Sequence, residues 1–200
     1  MRVGILALQG DVAEHRAALL DLGIEATTVR TTEELDLVDA LVLPGGESTT
    51  ISHLLATSGL TEPLRDRLAA GMPALGTCAG LVLLSTSIVD GRSEQTCFGS
   101  LDVTVRRNGY GRQAASFEST TKLVGAGSVP TVFIRAPRIL AVGDAVEVLA
   151  TIDVGDGEHP VVVRQGPVVG ASFHPELTSN RSVHALFLDV ASEGAVRAHK

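Results

Sequence analysis

The sequence predicts an α/β fold: a doubly wound, mostly parallel sheet with an antiparallel extension. Three observations predict it. The first half alternates short apolar runs with stretches of helical periodicity, the pattern of strands joined by crossover helices. The second half is rich in β-branched runs parted by Gly, Pro and Asp, the texture of antiparallel strands. A length of 200 residues is little more than one domain at about 150 residues each, so both halves are expected in a single domain spanning 1–200.

The elements follow in order. Residues 2–8 are an apolar run that stops at Gln9-Gly10-Asp11, and Val12, His15, Leu19 and Leu22 then recur at helical spacing. This reads as strand, turn, helix. Residues 24–29 are short and β-branched, and residues 40–43 form a second buried run ending at Pro44-Gly45-Gly46. Ser48 can cap a helix through Ala56, Thr61 begins another that ends by Gly71, and residues 72–75 are a short strand. An apolar helix starts near Leu81. Further strands are expected at 101–105, 129–134, 146–152, 161–164 and 168–173, with a last helix over 183–190 introduced by Thr178, Ser179 or Asn180. Residues 85–98, which include Cys97, are polar and read as a variable loop.

Composition excludes several classes of function. At 44% hydrophobic the chain can bury a full core, so disorder is not its main state. A net charge of −7, with five Phe, one Tyr and no Trp, leaves no basic surplus for phosphates and few rings for stacking bases. No nucleic acid is expected as partner. No run of about 18 apolar residues without a charge exists, so no membrane span is expected, and the N-terminal run is too short for a signal peptide. Two cysteines cannot make a disulfide framework. A reducing, cytoplasmic setting is expected.

The chemistry centres on Gly76-Thr77-Cys78-Ala79-Gly80, a G-x-C-x-G turn between a strand and an apolar helix. Such an elbow holds its nucleophile outward, and its small neighbours permit the tight turn and close approach of a substrate. A helix N-terminus also favours a thiolate. Alone, the motif fits a buried structural cysteine equally well. A nucleophile needs a base, and among six histidines only His174 has suitable company. It ends an apolar strand and precedes Pro175 and Glu176; extended geometry before proline puts residues 174 and 176 on one face. Glu176 can therefore orient the imidazole while its other nitrogen takes the thiol proton. His15 and His184 fall within helices at amphipathic spacing, His53 lies near the first turn of one, and His159 and His199 sit in polar surroundings; all five read as structural or solvated.

Oxyanion donors have two expected sources: the backbone N–H of Ala79 and the Gly45-Gly46 turn at the carboxyl end of its strand. By itself Gly45-Gly46 is a plain β-to-α turn. Two motif matches are rejected. Gly109-Tyr110-Gly111-Arg112-Gln113-Ala114 fits G-x-G-x-x-A, but no long helix and no acid about 20 residues on follow it, so no dinucleotide cofactor is expected. Asn180-Arg181-Ser182 fits a glycosylation acceptor but reads as a helix start in a cytoplasmic chain. The cysteines and histidines lack zinc spacing, and no metal is expected.

Taken together, several segments resemble a known family: Leu6-Ala-Leu-Gln-Gly10, Leu43-Pro-Gly-Gly-Glu-Ser-Thr-Thr50, the Cys78 elbow, Gly111-Arg-Gln113 with Ser116-Phe-Glu118, Phe133-Ile-Arg-Ala-Pro137 and Ser172-Phe-His-Pro-Glu-Leu177. They resemble the glutaminase subunits of pyridoxal 5′-phosphate synthases, within the class I glutamine amidotransferases, whose fold is flavodoxin-like. The match runs nearly end to end. The resemblance implies hydrolysis of L-glutamine to L-glutamate and ammonia, with the ammonia passed to a barrel-shaped synthase subunit in a hetero-oligomer. It makes Cys78 the nucleophile, His174 the base and acid, and Glu176 the orienter. It places Gly45, Gly46, Glu47, Arg107, Ile134 and Arg135 at the glutamine site, Gly46 and Ala79 in the oxyanion hole, and Gln9 where the partner docks. Arg106 stands beside Arg107, and a guanidinium fork at either position suits a carboxylate. Tyr110 departs from the family's usual Phe. A free-standing cysteine hydrolase or peptidase is the alternative reading; a binding module without catalysis is disfavoured because all three triad residues are present.

Overall fold

The computed structural model describes residues 1–92, 94–110 and 116–197. The Gly111-Arg112-Gln113 segment and His199 lie outside the described residues. The parallel half contains β1 (Val3–Leu6), β2 (Thr27–Val29), β3 (Ala40–Leu43) and β4 (Ala74–Thr77), with helices α1 (Val12–Asp21), α2 (Thr32–Asp36), α3 (Ser48–Thr57) and α4 (Thr61–Ala69) between them. Helix α5 (Ala79–Leu84) follows β4 directly. The strands β5 (Ser85–Ile88), β6 (Leu101–Arg106), β7 (Ser116–Leu123), β8 (Gly127–Ile134), β9 (Arg138–Val142), β10 (Glu147–Asp153), β11 (Glu158–Gln165) and β12 (Val168–Ala171) come next, then a 3-10 turn (Pro175–Leu177) and α6 (Ser182–Arg197).

Among the described residues seven strands make the main sheet, in the order β10-β11-β12-β4-β3-β1-β2. From β12 to β2 neighbouring strands run parallel, whereas β11 and β10 are added antiparallel. The fold class is the one expected, and the antiparallel extension is β10 and β11. Each parallel strand feeds both faces because side chains alternate. In β3, Leu41 and Leu43 join a cluster with Ile51, Leu55, Leu64 and Leu81, while Ala40 and Val42 join one with Leu19, Phe173 and Phe187. Full burial of each such side chain stabilises by about 1.5–3 kcal/mol.

Helix α5 is buried along its whole length. It lies between the main sheet and the layer β5-β6-β9, sharing one cluster with Leu101, Val103, Val105 and Ile139. The Ala-Gly-Leu-Val-Leu-Leu sequence of α5 has no polar face to offer, so both layers are needed to cover it.

Several expectations are corrected in detail. Strand β5 occupies the start of the stretch read as a loop. Strands β7 and β9 were not anticipated: β7 is a largely exposed ribbon strand of mixed polarity, and β9 begins just after Pro137. Helix α3 is capped by Glu47, whose carboxylate accepts from the amides of Thr49 (2.8 Å) and Thr50 (3.1 Å), so Ser48 is the first helical residue and not the cap. The last helix runs longer than expected, with Asn180 Oδ1 accepting from Ser182 N at 2.9 Å.

The carboxyl ends of adjacent parallel strands converge. Residues just beyond β1, β3, β4 and β12 are Gln9, Gly45, Cys78 and His174.

Candidate active site

Cys78 stands at the turn from β4 into α5 with φ 46° and ψ −102°, a left-handed backbone uncommon for a residue with a side chain. Packing holds it there. Its N–H donates to the Ala171 carbonyl of β12 at 2.9 Å. A Cβ at Gly80 would run into the Leu43 carbonyl, and one at Gly76 would meet the Gly80 backbone at 2.6 Å. The two glycines thus let strand, helix and β3 close tightly around the cysteine. Its thiol donates a long hydrogen bond, 3.9 Å, to the Ile134 carbonyl.

His174 is buried, with its backbone N–H bonded to Val132 O at 2.8 Å. Its Nδ1 lies 2.8 Å from Glu176 Oε1 and 3.1 Å from Asp11 Oδ2. Burial acts to lower the imidazole pKa, but hydrogen bonds to Asp11, Cys78 and Glu176 outweigh it and push the value up to about 12. The partners respond in opposite ways. The hydrogen bond with His174 holds Asp11 below the usual carboxylate range, whereas burial raises Glu176 despite its bond to the same ring. One carboxylate oxygen each of Asp11 and Glu176 and a ring nitrogen of His174 lie within 4.8 Å of one another.

A cavity of about 290 Å³ opens above this cluster. Gln9, Gly46, Glu47, Cys78, Ala79, Arg107, Ile134, Arg135 and His174, all expected at the site, line it together with Asp11. Gly45 sits against the edge of the His174 ring, where a Cβ would clash, and Glu176 is sealed behind His174. Arg107 donates to Glu47 Oε1 at 2.6 Å and to Gln95 Oε1 at 3.4 Å, and Gln95 donates to Ser48 Oγ at 2.7 Å. Burial would raise the Glu47 carboxyl, but bonds from Thr49 and Thr50 and the Arg107 charge hold it low. One wall therefore carries a cation and an anion side by side. Arg106 is exposed and absent from the cavity lining, so of the two arginines Arg107 faces the cavity.

Backbone contacts tie the cavity rim together. Gln9 Oε1 accepts from Glu47 N at 2.8 Å, and Asp11 N donates to Gly45 O at 3.3 Å. Sequence reasoning missed Asp11 and Gln95, because neither belongs to a local motif with His174 or Arg107. His15 and His184, expected to be structural or solvated, are not solvated. Both are fully buried, and His15 Nε2 stands 3.4 Å from Glu176 Oε2. The available signal was a histidine on the apolar face of α1, since a buried polar group needs a partner.

A family model described as the SNO glutamine amidotransferase family matches residues 5–193. A protein of Mycobacterium sp. (strain JLS), the pyridoxal 5′-phosphate synthase subunit PdxT, is 55% identical over 195 residues, covering 96% of this chain and 93% of that one. The subunit of the same name from Frankia casuarinae is 53% identical over 199 residues, with 98% of both chains covered. A crystal structure described as a glutamine amidotransferase superposes with a TM-score of 0.88 at 48% identity, over 96% of this chain and 100% of that chain.

Proposed function

The chain belongs to the SNO glutamine amidotransferase family, and from that premise we propose how its residues carry out the reaction. It is the glutaminase subunit of a pyridoxal 5′-phosphate synthase: it hydrolyses L-glutamine to L-glutamate and ammonia, and the ammonia supplies synthesis of the cofactor. With His174 already holding the proton of the Cys78 thiol, Cys78 Sγ attacks the side-chain amide carbon of glutamine, and His174 gives that proton to the departing ammonia. Water, deprotonated by His174, then cleaves the glutamyl thioester. Glu176 orients the ring throughout. Ala79 N–H and Gly46 N–H are the donors to the oxyanion. Arg107 pairs with the substrate α-carboxylate and Glu47 with its α-ammonium, while Gly45, Ile134 and Arg135 complete the pocket.

The single observation that carries this reading is the His174 ring, held by Glu176 at 2.8 Å, in a cavity whose facing wall bears Arg107 and Glu47. A charged pair of opposite sign suits a free amino acid. It gives a peptidase no reason for its place, so the free-standing hydrolase is disfavoured.

The remaining assignments are part of the same proposal. Residues 1–200 act as one glutaminase domain. The synthase subunit is a barrel, and the two form a hetero-oligomer that docks over Gln9. That contact bears on catalysis because Gln9 and Asp11 hold the Gly45–Glu47 rim, so docking there acts directly on the peptide carrying the Gly46 donor. Among the described residues no helix is long and apolar enough to cross a membrane. A catalytic free thiol fits a reducing cytoplasm. The test is ammonia release from glutamine with and without the synthase subunit. Activation of about 10²–10³, the worth of one oxyanion donor, is expected on adding it. Full activity in the isolated chain, unchanged by the subunit, refutes the docking role.

A further inference from the structure

Behind the triad lies a second, fully buried set of polar groups that the reaction as described does not use. His15, on α1, has Nδ1 2.9 Å from Nε2 of His184, on α6. Its Nε2 is 3.0 Å from Thr77 Oγ1 and 3.4 Å from Glu176 Oε2. His15, His184 and Thr77 all have zero exposure, and Glu176 Oε2 makes no conventional hydrogen bond. Four groups from α1, α6, β4 and the 3-10 turn thus meet where water does not reach.

One proton arrangement suits Glu176 and His184 best. If His15 carried its proton on Nδ1 and donated to His184, its Nε2 lone pair would face the Glu176 carboxylate, and His184 would bury an N–H without an acceptor. The reverse arrangement removes both penalties. His184 Nε2–H donates to His15 Nδ1, leaving only a lone pair on His184 Nδ1, which has no partner. His15 Nε2–H then points between Thr77 Oγ1 and Glu176 Oε2. Both rings stay neutral: burial lowers His15 well below its ordinary value, and burial lowers His184 to about 4.

Resting on the assignment of Glu176 as orienter of His174, we propose that His15 is a positioning residue for the triad, its Nε2–H, fixed by His184, holding Glu176 ionised and aimed at His174. Glu176 offers two oxygens. One is on His174 Nδ1, and the other is dry, with His15 Nε2 facing it at 3.4 Å. The same N–H touches Thr77, the residue before Cys78, so one imidazole reaches both arms of the site. The charged and titratable groups facing Glu176 are Asp11 and His15 from the α1 segment, His174 on its own turn, and Cys78 across that ring. His184 acts through His15 from α6, Arg181 just before that helix acts on His184, and Arg135 lies on the open side beyond β8.

The test compares the chain with its synthase subunit as wild type, His15→Leu and His15→Gln, each also combined with Glu176→Gln. It measures kcat and KM for glutamine against pH, together with melting temperature. His15→Leu is expected to lower kcat about tenfold, the rate equivalent of one buried acceptor left unpaired, with KM unchanged. The acid limb of kcat should move up by about one pH unit, because the unsupported carboxylate protonates more readily. His15→Gln, whose amide places an N–H near the Nε2 position, should recover most of both losses. With Glu176→Gln present, His15→Leu should cost less than about twofold more. An acid limb that stays put in folded His15→Leu, or the same loss in the Glu176→Gln background, overturns the proposal. If His15→Leu does not fold, His184→Phe decides in its place: a raised acid limb supports the tautomer lock and an unmoved one overturns it. Full activity in Glu176→Gln alone would instead overturn the triad assignment itself.

Discussion

Asp11 Oδ2 stands 3.1 Å from Nδ1 of His174, so the imidazole N–H is shared between a carboxylate two residues beyond Gln9 and the Glu176 carboxylate at 2.8 Å. Removal of Glu176 therefore leaves the ring one anionic acceptor. His174→Ala should fall to near background, since one general acid–base role is worth about 10²–10⁴ in rate. Glu176→Gln should keep more, and Asp11→Asn more still. The double variant should lose more than the two single losses combined, because each carboxylate covers for the other. Steady-state glutaminase rates on the four proteins check this, and strict additivity would show that the two carboxylates do not share the ring.

Cys78 should be the only thiol to react with a glutamine-like chloroketone. Cys97 is half-buried, and burial pushes its thiol above the ordinary value. Peptide mass analysis should find one adduct, on Cys78, and Cys78→Ala should be inactive. An adduct on Cys97 or residual full activity would contradict the nucleophile assignment.

Arg107→Gln should raise KM for glutamine by about 10- to 100-fold with a much smaller change in kcat, the worth of one charge-assisted hydrogen bond. Arg107→Lys should fall between, since an ammonium cannot present a planar fork. A fall in kcat at unchanged KM would move Arg107 from substrate binding to the chemical step.

Stability should fall on mild acidification because His184 is buried neutral. Its value in the fold, about 4, lies below the ordinary 6.5, so between those values the unfolded chain binds a proton that the fold refuses. The stability present above 6.5 is lost as pH falls towards 4; 2.5 units at 1.36 kcal/mol each amount to about 3 kcal/mol. His15 acts in the same direction. Glu176, raised by burial, acts oppositely, contributing stability that is lost as pH rises above its ordinary range. Asp11 and Glu47, both lowered, matter only below about 4.5. The difference in urea unfolding between wild type and His184→Phe isolates the histidine, and a pH-independent difference between 6.5 and 4 would contradict it.

Residues whose surroundings are set by near neighbours were legible from the chain. The Cys78 elbow carries its own small flanking residues, and His174 and Glu176 share a face because the backbone between them is extended. The parallel strands are apolar throughout because both faces are covered. Asp11, His15 and His184 were not legible as site residues, since what they touch is decided by how α1 and α6 pack beneath the strand ends. Strand β7 escaped notice for a related reason: its Ser-Phe-Glu-Ser-Thr-Thr run lies in a two-stranded ribbon, where polarity reports exposure and little else. Arg106 and Arg107 could not be told apart until β6 ended at Arg106 and the chain turned towards Glu47.

Helix α5 is enclosed on every side, and that divides the site into two parts of unlike mobility. Cys78 is bolted to a six-residue apolar plug that cannot shift without opening both layers. The facing rim is built from glycines, single hydrogen bonds and a positive-φ turn at Arg135. Any signal arriving from outside must therefore be written in the rim, with Cys78 as the fixed anvil against which the rim closes. Substitutions that retune control should cluster at Gln9, Gly46 and Arg135, while changes inside the plug should cost the whole molecule its fold.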